Sequence, residues 1–319
     1  MISITALTNL NNAVPWGLWV SIYIWFVGIS AGSFALVAWG NLQENSHLKK
    51  ITRMGLVLAL STLLAGLLSI QIDLGHIERF TKLFTSPNFG SVMGLMVWLY
   101  GIYSAILAIS LILLKRGIPK QFFGFSLIFA LAVIVLESLL FARPPGKDWH
   151  SLVFPAHFLT SSLVSAIAAL IFMAGIWVKD KKTELLKGLS KIALPIIAIN
   201  LGVEIIDIIS LGSISHIESW ALLLGNIIVI ALLRKRSLAS ITIAGCIELI
   251  VVLFSKYNSL ISAQIVEPFN GFAKSYIEPR LMFSYTPNVF EFIVAMFLIS
   301  LAAGLFYFLY KIFPLTREG

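Results

Sequence analysis

Five polar side chains lie inside stretches that are otherwise apolar: Glu137 in AVIVLESLLFARP, Asn200, Glu204 and Asp207 in INLGVEIIDIIS, and Glu248 in GCIELIVVL. An ionisable group at mid-bilayer costs at least about 2.5–3.5 kcal/mol, so its presence there is read as functional unless packing explains it. The spacing of four and then three residues puts Asn200, Glu204 and Asp207 on one helix face. A stripe of that kind suits a proton or ligand path. The alternative is that each carboxyl is protonated, hydrogen-bonded to a neighbouring helix, and serves packing alone. A hard-metal site needs several oxygens converging on one point, whereas these three climb a helix over about 10 Å. No metal is expected.

A second polar group gathers at helix ends. The segment QIDLGHIERFTKLFTSPNFGS brings Asp73, His76, Glu78 and Arg79 together, and Asp73 with Arg79 could equally form a loop clamp. Arg143 closes the Glu137 stretch as ARPP, and His150 and His157 flank the next apolar run. Trp16, Trp19 and Tyr23 form a stripe near the start of the first run, where aromatic residues commonly anchor the membrane interface.

The elements that must hold these residues follow from composition. Of 319 residues 59% are hydrophobic and 12% charged, with mean hydropathy +0.95. A soluble domain carries roughly a quarter charged residues, so this sequence has too little polar surface to coat a globule in water. Its apolar blocks are about twenty residues long, enough for a helix to cross the hydrocarbon, and they do not alternate as barrel strands do. An all-α polytopic membrane protein with about nine spans is predicted, at 15–41, 52–72, 91–114, 121–142, 152–178, 189–212, 217–233, 237–254 and 289–312. The stretch 255–288, with Lys256, Glu267, Lys274, Glu278 and Arg280, reads as the one long connection.

Lys and Arg divide 16 against 7 between the two sets of connections. By the positive-inside rule the N-terminus lies outside the cytoplasmic membrane and the C-terminus inside. The net charge of +8 is thereby explained, and a nucleic-acid partner is set aside. The N-terminus lacks a basic n-region, so the first span is expected to be retained. The single cysteine, Cys246, cannot supply an iron–sulfur cluster or a haem attachment. A b-type haem needs two facing imidazoles, and only His157 falls within a span, so haem is not expected.

The stretch PWGLWVSIYIWFVGISAGSF resembles the first helix of the polysulfide-reductase membrane-subunit family, also called NrfD-like proteins. DLGHIERFTKLFTSPNFGSVMGLMVWLYGIYS, ARPPGKDWHSLVFPAHFLTSSLVSA and the closing YTPNVFEFIVAMFLISLAAGLFYFLYKIFPL, with Glu291 in its usual acidic place, are similar to further family segments. The sequence departs from the pattern in places. Ala132 stands where a tyrosine often precedes ARP, His76-Ile77 replaces Arg-Pro, and Tyr23 takes a position that is histidine in some members. No basic residue is evident in the eighth span.

The resemblance implies two four-helix bundles plus a C-terminal helix, divided as 1–146, 147–254 and 255–319. It implies a quinone site at the outer surface, a menaquinone-type cofactor, and no haem or cluster in this protein. It implies electron exchange with a partner iron–sulfur subunit and with a catalytic one, often a molybdopterin enzyme, on the outer face. In that reading the protein is the quinone-binding subunit of a multi-subunit oxidoreductase, not an enzyme alone. Tyr23, Asp73, His76, Glu78, Arg79 and Arg143 would then contact the quinone. Glu137, Asn200, Glu204, Asp207 and Glu248 would move protons. A secondary transporter or ion channel using the same acids is the runner-up, although no inverted repeat is evident. A structural anchor without a working site is a third reading.

Overall fold

The computed structural model describes residues 8–313 apart from 12, 75–80, 87, 143–152, 180–181, 211–215, 268–270 and 273–281. Its helices are α1 (Leu18–Leu42), α2 (Ser46–Lys50), α3 (Thr52–Asp73), α4 (Lys82–Thr85), α5 (Val92–Leu113), α6 (Lys120–Ala142), α7 (Val153–Trp177), α8 (Lys182–Ser210), α9 (Ile217–Arg234), α10 (Leu238–Ser262) and α11 (Val289–Ile312). Nine of the described helices, all but α2 and α4, are long and apolar enough to cross a membrane. The shortest, α9, has 18 residues, or about 27 Å at 1.5 Å per residue.

The span boundaries agree with the sequence reading to within a few residues, with two exceptions. Helix α8 begins at Lys182 instead of 189, so Lys187 and Lys191 belong to its first turns. Helix α10 runs to Ser262, eight residues past the expected end. Lys256 therefore lies in a span and not in the connection. Its charge and the polar run SKYNS lower the local hydropathy enough to suggest an end. The helix continues because the lysine is buried against neighbours, and the next breaker in the sequence is Pro268.

Caps mark several starts. The Ser237 side chain accepts from the Ser240 amide at 3.1 Å, and the Asn288 side chain from the Glu291 amide at 2.9 Å. Each satisfies a donor that the first helical turn leaves without a partner.

Helices α1, α3, α5 and α6 touch in a ring, and α7, α8, α9 and α10 form a second ring. Helix α1 also packs along α7 and α10, which joins the two bundles, and α11 lies against α3 and α1. From Leu18 to Ala38 no residue of α1 is exposed. Small residues permit this close approach. A Cβ on Gly32 would come within 2.4 Å of the Ser162 carbonyl oxygen of α7, and one on Gly28 within 3.0 Å of the Ser162 hydroxyl.

The segment before α1 is tied to the segment entering α11. The Asn9 amide donates to Glu291 Oε1 at 2.7 Å and its side chain to the Thr286 carbonyl at 2.9 Å. Gln264 closes on Trp16 from both sides, accepting from its amide at 3.1 Å and donating to its carbonyl at 2.9 Å. Tyr285 accepts from the Leu18 amide at 3.0 Å and donates to Glu291 Oε2. Burial and the adjacent Glu291 carboxylate hold the Tyr285 hydroxyl well above the ordinary phenol range, so it remains a donor. These bonds set where α1 begins.

Candidate functional site

The buried polar residues form a layer near the end of the bundles at which α1 starts. Tyr23 lies five residues into α1, Glu137 five before the end of α6, and His157 four into α7. Glu204 and Lys256 each lie six residues before their helix ends. At 1.5 Å per residue all five are about 6–9 Å below those ends.

In the first bundle Tyr23, Tyr100 and Glu137 meet from three helices. The two hydroxyls are 2.7 Å apart, and Tyr23 donates to Glu137 Oε2 at 2.9 Å. Tyr100 donates to the same oxygen. Glu137 Oε1 is buried and has no hydrogen-bond partner among the described residues. The carboxyl therefore has two donors on one oxygen and a free acceptor on the other.

The second bundle carries a larger constellation. His157 Nε2 is 3.7 Å from Glu204 Oε1, and its Nδ1 is 3.9 Å from Asp207 Oδ2. Ser255 Oγ lies 3.4 Å from His157 Nε2 and 3.5 Å from Glu204 Oε1. Asn226 of α9 donates to Glu204 Oε2 at 2.9 Å, and Thr160 donates to Asn200 Oδ1 at 2.9 Å. The expected stripe on α8 thus faces the interior, one residue per helical turn against α7, α9 and α10. Above it opens a cavity of about 560 Å³ whose walls include His157, Glu204, Asp207, Glu218, Tyr257 and Tyr285.

Between the two groups stands Lys256. Its ammonium donates to Ser161 Oγ at 2.7 Å and lies 3.6 Å from the centroid of the Phe158 ring. It is within electrostatic reach of Glu137 on one side and Glu204 on the other. A void of about 10 Å³ adjoins it, lined by Ile24, Phe141, His157 and Ser259 among others. A buried ammonium stacked on an aromatic face and flanked by carboxylates meets the usual conditions for keeping a charge inside a membrane protein.

The remaining expected residues are dispersed. Asp73 ends α3 within electrostatic reach of Glu291, away from the Tyr23 group, and its Oδ1 is buried with no hydrogen-bond partner among the described residues. Glu248 points into the core of the second bundle, against a small void bounded by Ala168, Ile197 and Gly245. Neither of its oxygens has a hydrogen-bond partner among the described residues. His76, Glu78, Arg79, Arg143 and His150 lie outside the described residues. No group of three metal-ligating side chains converges among the described residues.

Sequence reasoning passed over Tyr100 and Lys256. Tyr100 lies in WLYGIYS, a stretch read only for its likeness to a family helix. Its burial was foreshadowed only by its helical spacing from Met96 and Tyr103. Lys256 was assigned to a loop because the apolar run was ended at residue 254, whereas nothing before Pro268 compels an end. The basic residue sought in the eighth span is present.

Comparison with known proteins agrees with this architecture. The family model for polysulphide reductase, NrfD, matches residues 6–268. The protein is 26% identical to a selenate reductase subunit of Mesobacillus selenatarsenatis and 25% identical to the Hdr-like menaquinol oxidoreductase integral membrane subunit of Archaeoglobus fulgidus. Each of these alignments covers 98% of this protein and 88% of the relative. Against a polysulfide reductase chain of Wolinella succinogenes the identity is 34%, over 49% of each sequence. With nine described helices able to cross a membrane and a match across most of its length, this chain belongs to the NrfD family of polysulphide-reductase membrane subunits.

Proposed function

We propose that this protein is the quinol-reactive membrane subunit of a respiratory oxidoreductase complex, with its N-terminus on the outer side of the cytoplasmic membrane. The observation that carries the reading is the meeting of Tyr23, Tyr100 and Glu137 in an apolar core, with Glu137 Oε1 lacking a partner among the described residues. A quinol presents an O–H that needs an acceptor, and a quinone carbonyl needs a donor. A carboxyl flanked by two phenols offers both. A general base must lie within hydrogen-bond reach of the proton it takes, so this reading puts the head group against Glu137 Oε1. Tyr23 orients the carboxyl and supplies a donor, Tyr100 does the same from α5, and the apolar walls exclude water.

Asp73, His76, Glu78, Arg79 and Arg143 belong to the same reading, as groups that would fix the head group at the outer rim. A menaquinone-type quinone is the cofactor favoured, since one relative bears a menaquinol oxidoreductase name. The electrons would pass to an iron–sulfur subunit on the outer face and from it to a catalytic one, in many family members a molybdopterin enzyme. Asn200, Glu204, Asp207 and Glu248 are assigned to proton movement.

The test is purification of the full-length protein in mild detergent with its natural partners, followed by mixing with menaquinol. Copurification of an iron–sulfur subunit that becomes reduced supports the reading. A protein that purifies without such a partner and drives solute or ion flux in vesicles overturns it in favour of a transporter.

A further inference from the structure

Lys256 and His157 lie between two carboxyl clusters that belong to different bundles, and that juxtaposition is not used by the reading above. We infer that Lys256 and His157 form a proton relay joining the Tyr23–Tyr100–Glu137 cluster to the 560 Å³ cavity, through which protons exchange with the outer aqueous phase. The inference rests on the quinol reading for the source of the protons.

Four observations support the connection. Lys256 is buried and sits within electrostatic reach of both Glu137 of the first bundle and Glu204 of the second. The void beside it is about 10 Å³ and is lined by both Lys256 and His157. Its walls are mostly apolar, but Lys256, His157 and Ser259 offer a single water three polar partners there, and that water would bridge an ammonium and an imidazole that do not touch. The imidazole has a carboxylate near each nitrogen, Glu204 at 3.7 Å and Asp207 at 3.9 Å, so it can take a proton on one side and give one on the other. Finally, His157, Glu204 and Asp207 are all in the wall of the large cavity, and Asp207 is the most exposed of the three at 16%.

The proton accounting closes at each step. Oxidation of one quinol releases two protons, one after the other, while its two electrons leave to the partner redox subunit. Glu137 accepts a proton from the quinol O–H. The Lys256 ammonium donates one through the bridging water to His157 and is refilled from Glu137. His157 passes its proton to Asp207 or Glu204, and the carboxyl releases it into the cavity. No bond other than O–H and N–H forms or breaks, and quinone reduction runs the same path backwards. Among the described residues, the charged and titratable groups facing the relay are Glu137 of α6, Glu204 and Asp207 of α8, the tyrosines of α1 and α5, and, in the cavity wall, His216, Glu218, Tyr257 and Tyr285. The position of the α8 stripe near the α1-start end suits an exit to the side on which α1 begins.

The experiment uses the complete complex in sealed proteoliposomes, with quinol supplied in the membrane and electron delivery to the partner recorded. His157→Ala is expected to lower turnover at saturating quinol by about a hundredfold, the low end of what a lost proton-transfer group removes. The apparent KM should stay within about twofold, because His157 does not touch the head group. The solvent deuterium isotope effect should rise. Imidazole added to the outer compartment should restore turnover, since the cavity admits it, and imidazole trapped inside should not. Lys256→Met should show the same turnover loss without rescue by imidazole. His157→Gln keeps much of the size and a polar end beside Glu204 and serves if the alanine variant fails to assemble. Wild-type turnover in assembled His157 and Lys256 variants overturns the relay and leaves the quinol reading standing. A raised KM with unchanged turnover also overturns it, by making the cavity the head-group site. A wild-type complex that oxidises no quinol overturns the reading on which the relay rests, before any variant is made.

Discussion

Both tyrosines of the first cluster donate to one oxygen of Glu137, and this geometry makes a quantitative forecast. Tyr23→Phe removes two contacts, at 2.7 and 2.9 Å, yet Oε2 keeps the bond from Tyr100. Tyr100→Phe likewise leaves the bond from Tyr23. A hydrogen bond to a charged group is worth roughly 1.5–3 kcal/mol, and a shared acceptor loses less than that when one donor remains. Each single change should therefore cost about 1.4 kcal/mol of quinol recognition, or tenfold in apparent KM. The double change strips Oε2 of both donors while Oε1 already has no described partner, so a buried carboxyl is left bare. The cost should exceed the sum of the two by about 1–2 kcal/mol, carrying the KM beyond the hundredfold that independent sites would give. The assay is a double-mutant cycle on quinol-dependent electron delivery by the purified complex, with thermal denaturation followed in parallel. Additivity within about 0.5 kcal/mol would show that the tyrosines act separately. Lower melting temperatures with unchanged KM would show that the trio is packing.

Further expectations concern folding and topology. Gly32→Ala should lower thermal stability by about 1–3 kcal/mol, because the added carbon meets a backbone carbonyl of α7 at 2.4 Å that cannot rotate away; an unshifted melting curve in detergent would refute the tight seam. Tyr285→Phe should cost about 1–3 kcal/mol by leaving the Leu18 amide and Glu291 Oε2 without that partner, read as protease sensitivity of the segment ahead of α1. A cysteine at position 256 should resist polar thiol reagents from both sides in the assembled protein, whereas one at 181 should be labelled only from the cytoplasmic side. Outside labelling at 256 would return that residue to a loop. Exchanging Glu44 or Lys120, an exposed pair 2.8 Å apart in which the lysine holds the carboxyl below its usual range, should leave stability unchanged; a clear loss would mean the pair is less exposed than the structure has it.

The helices were legible because span length is a bilayer property, and uninterrupted runs of Leu, Ile and Ala carry that signal residue by residue. Composition carries no information on which neighbour a helix face meets. Glu204 was recognisable from its spacing to Asn200 and Asp207, yet Asn226 and Ser255, which complete its surroundings, are ordinary residues until the helices are placed. Lys256 shows the limit most clearly. Hydropathy scores a lysine as an exit from the membrane, and only the Phe158 ring, Ser161 and two carboxyls, drawn from three other helices, make it an interior residue. Ala132 read as a lost site residue, whereas Tyr23 and Tyr100 bring phenols to Glu137 from other directions. His76 and Arg143, which were most distinctive in the sequence, fall outside the described residues and remain proposals.

The burial of α1 has a consequence for biogenesis. Of the described spans it is the first to leave the ribosome, and all the spans it packs against, α3, α6, α7, α10 and α11, are synthesised later. Until then Ser21, Ser30 and Ser33, which end with no exposure at all, lie in lipid or in the insertion machinery. Serine hydroxyls on a helix can bond back to their own backbone, as Ser21 does to the Gly17 carbonyl at 3.3 Å, whereas Ser30 waits for Tyr103 of α5. It also follows that a lesion in α10 is felt by α1 at the other end of the gene. A nascent polypeptide truncated before α10 would hold α1 with one flank still facing acyl chains, and membrane quality-control proteases would meet it in that state.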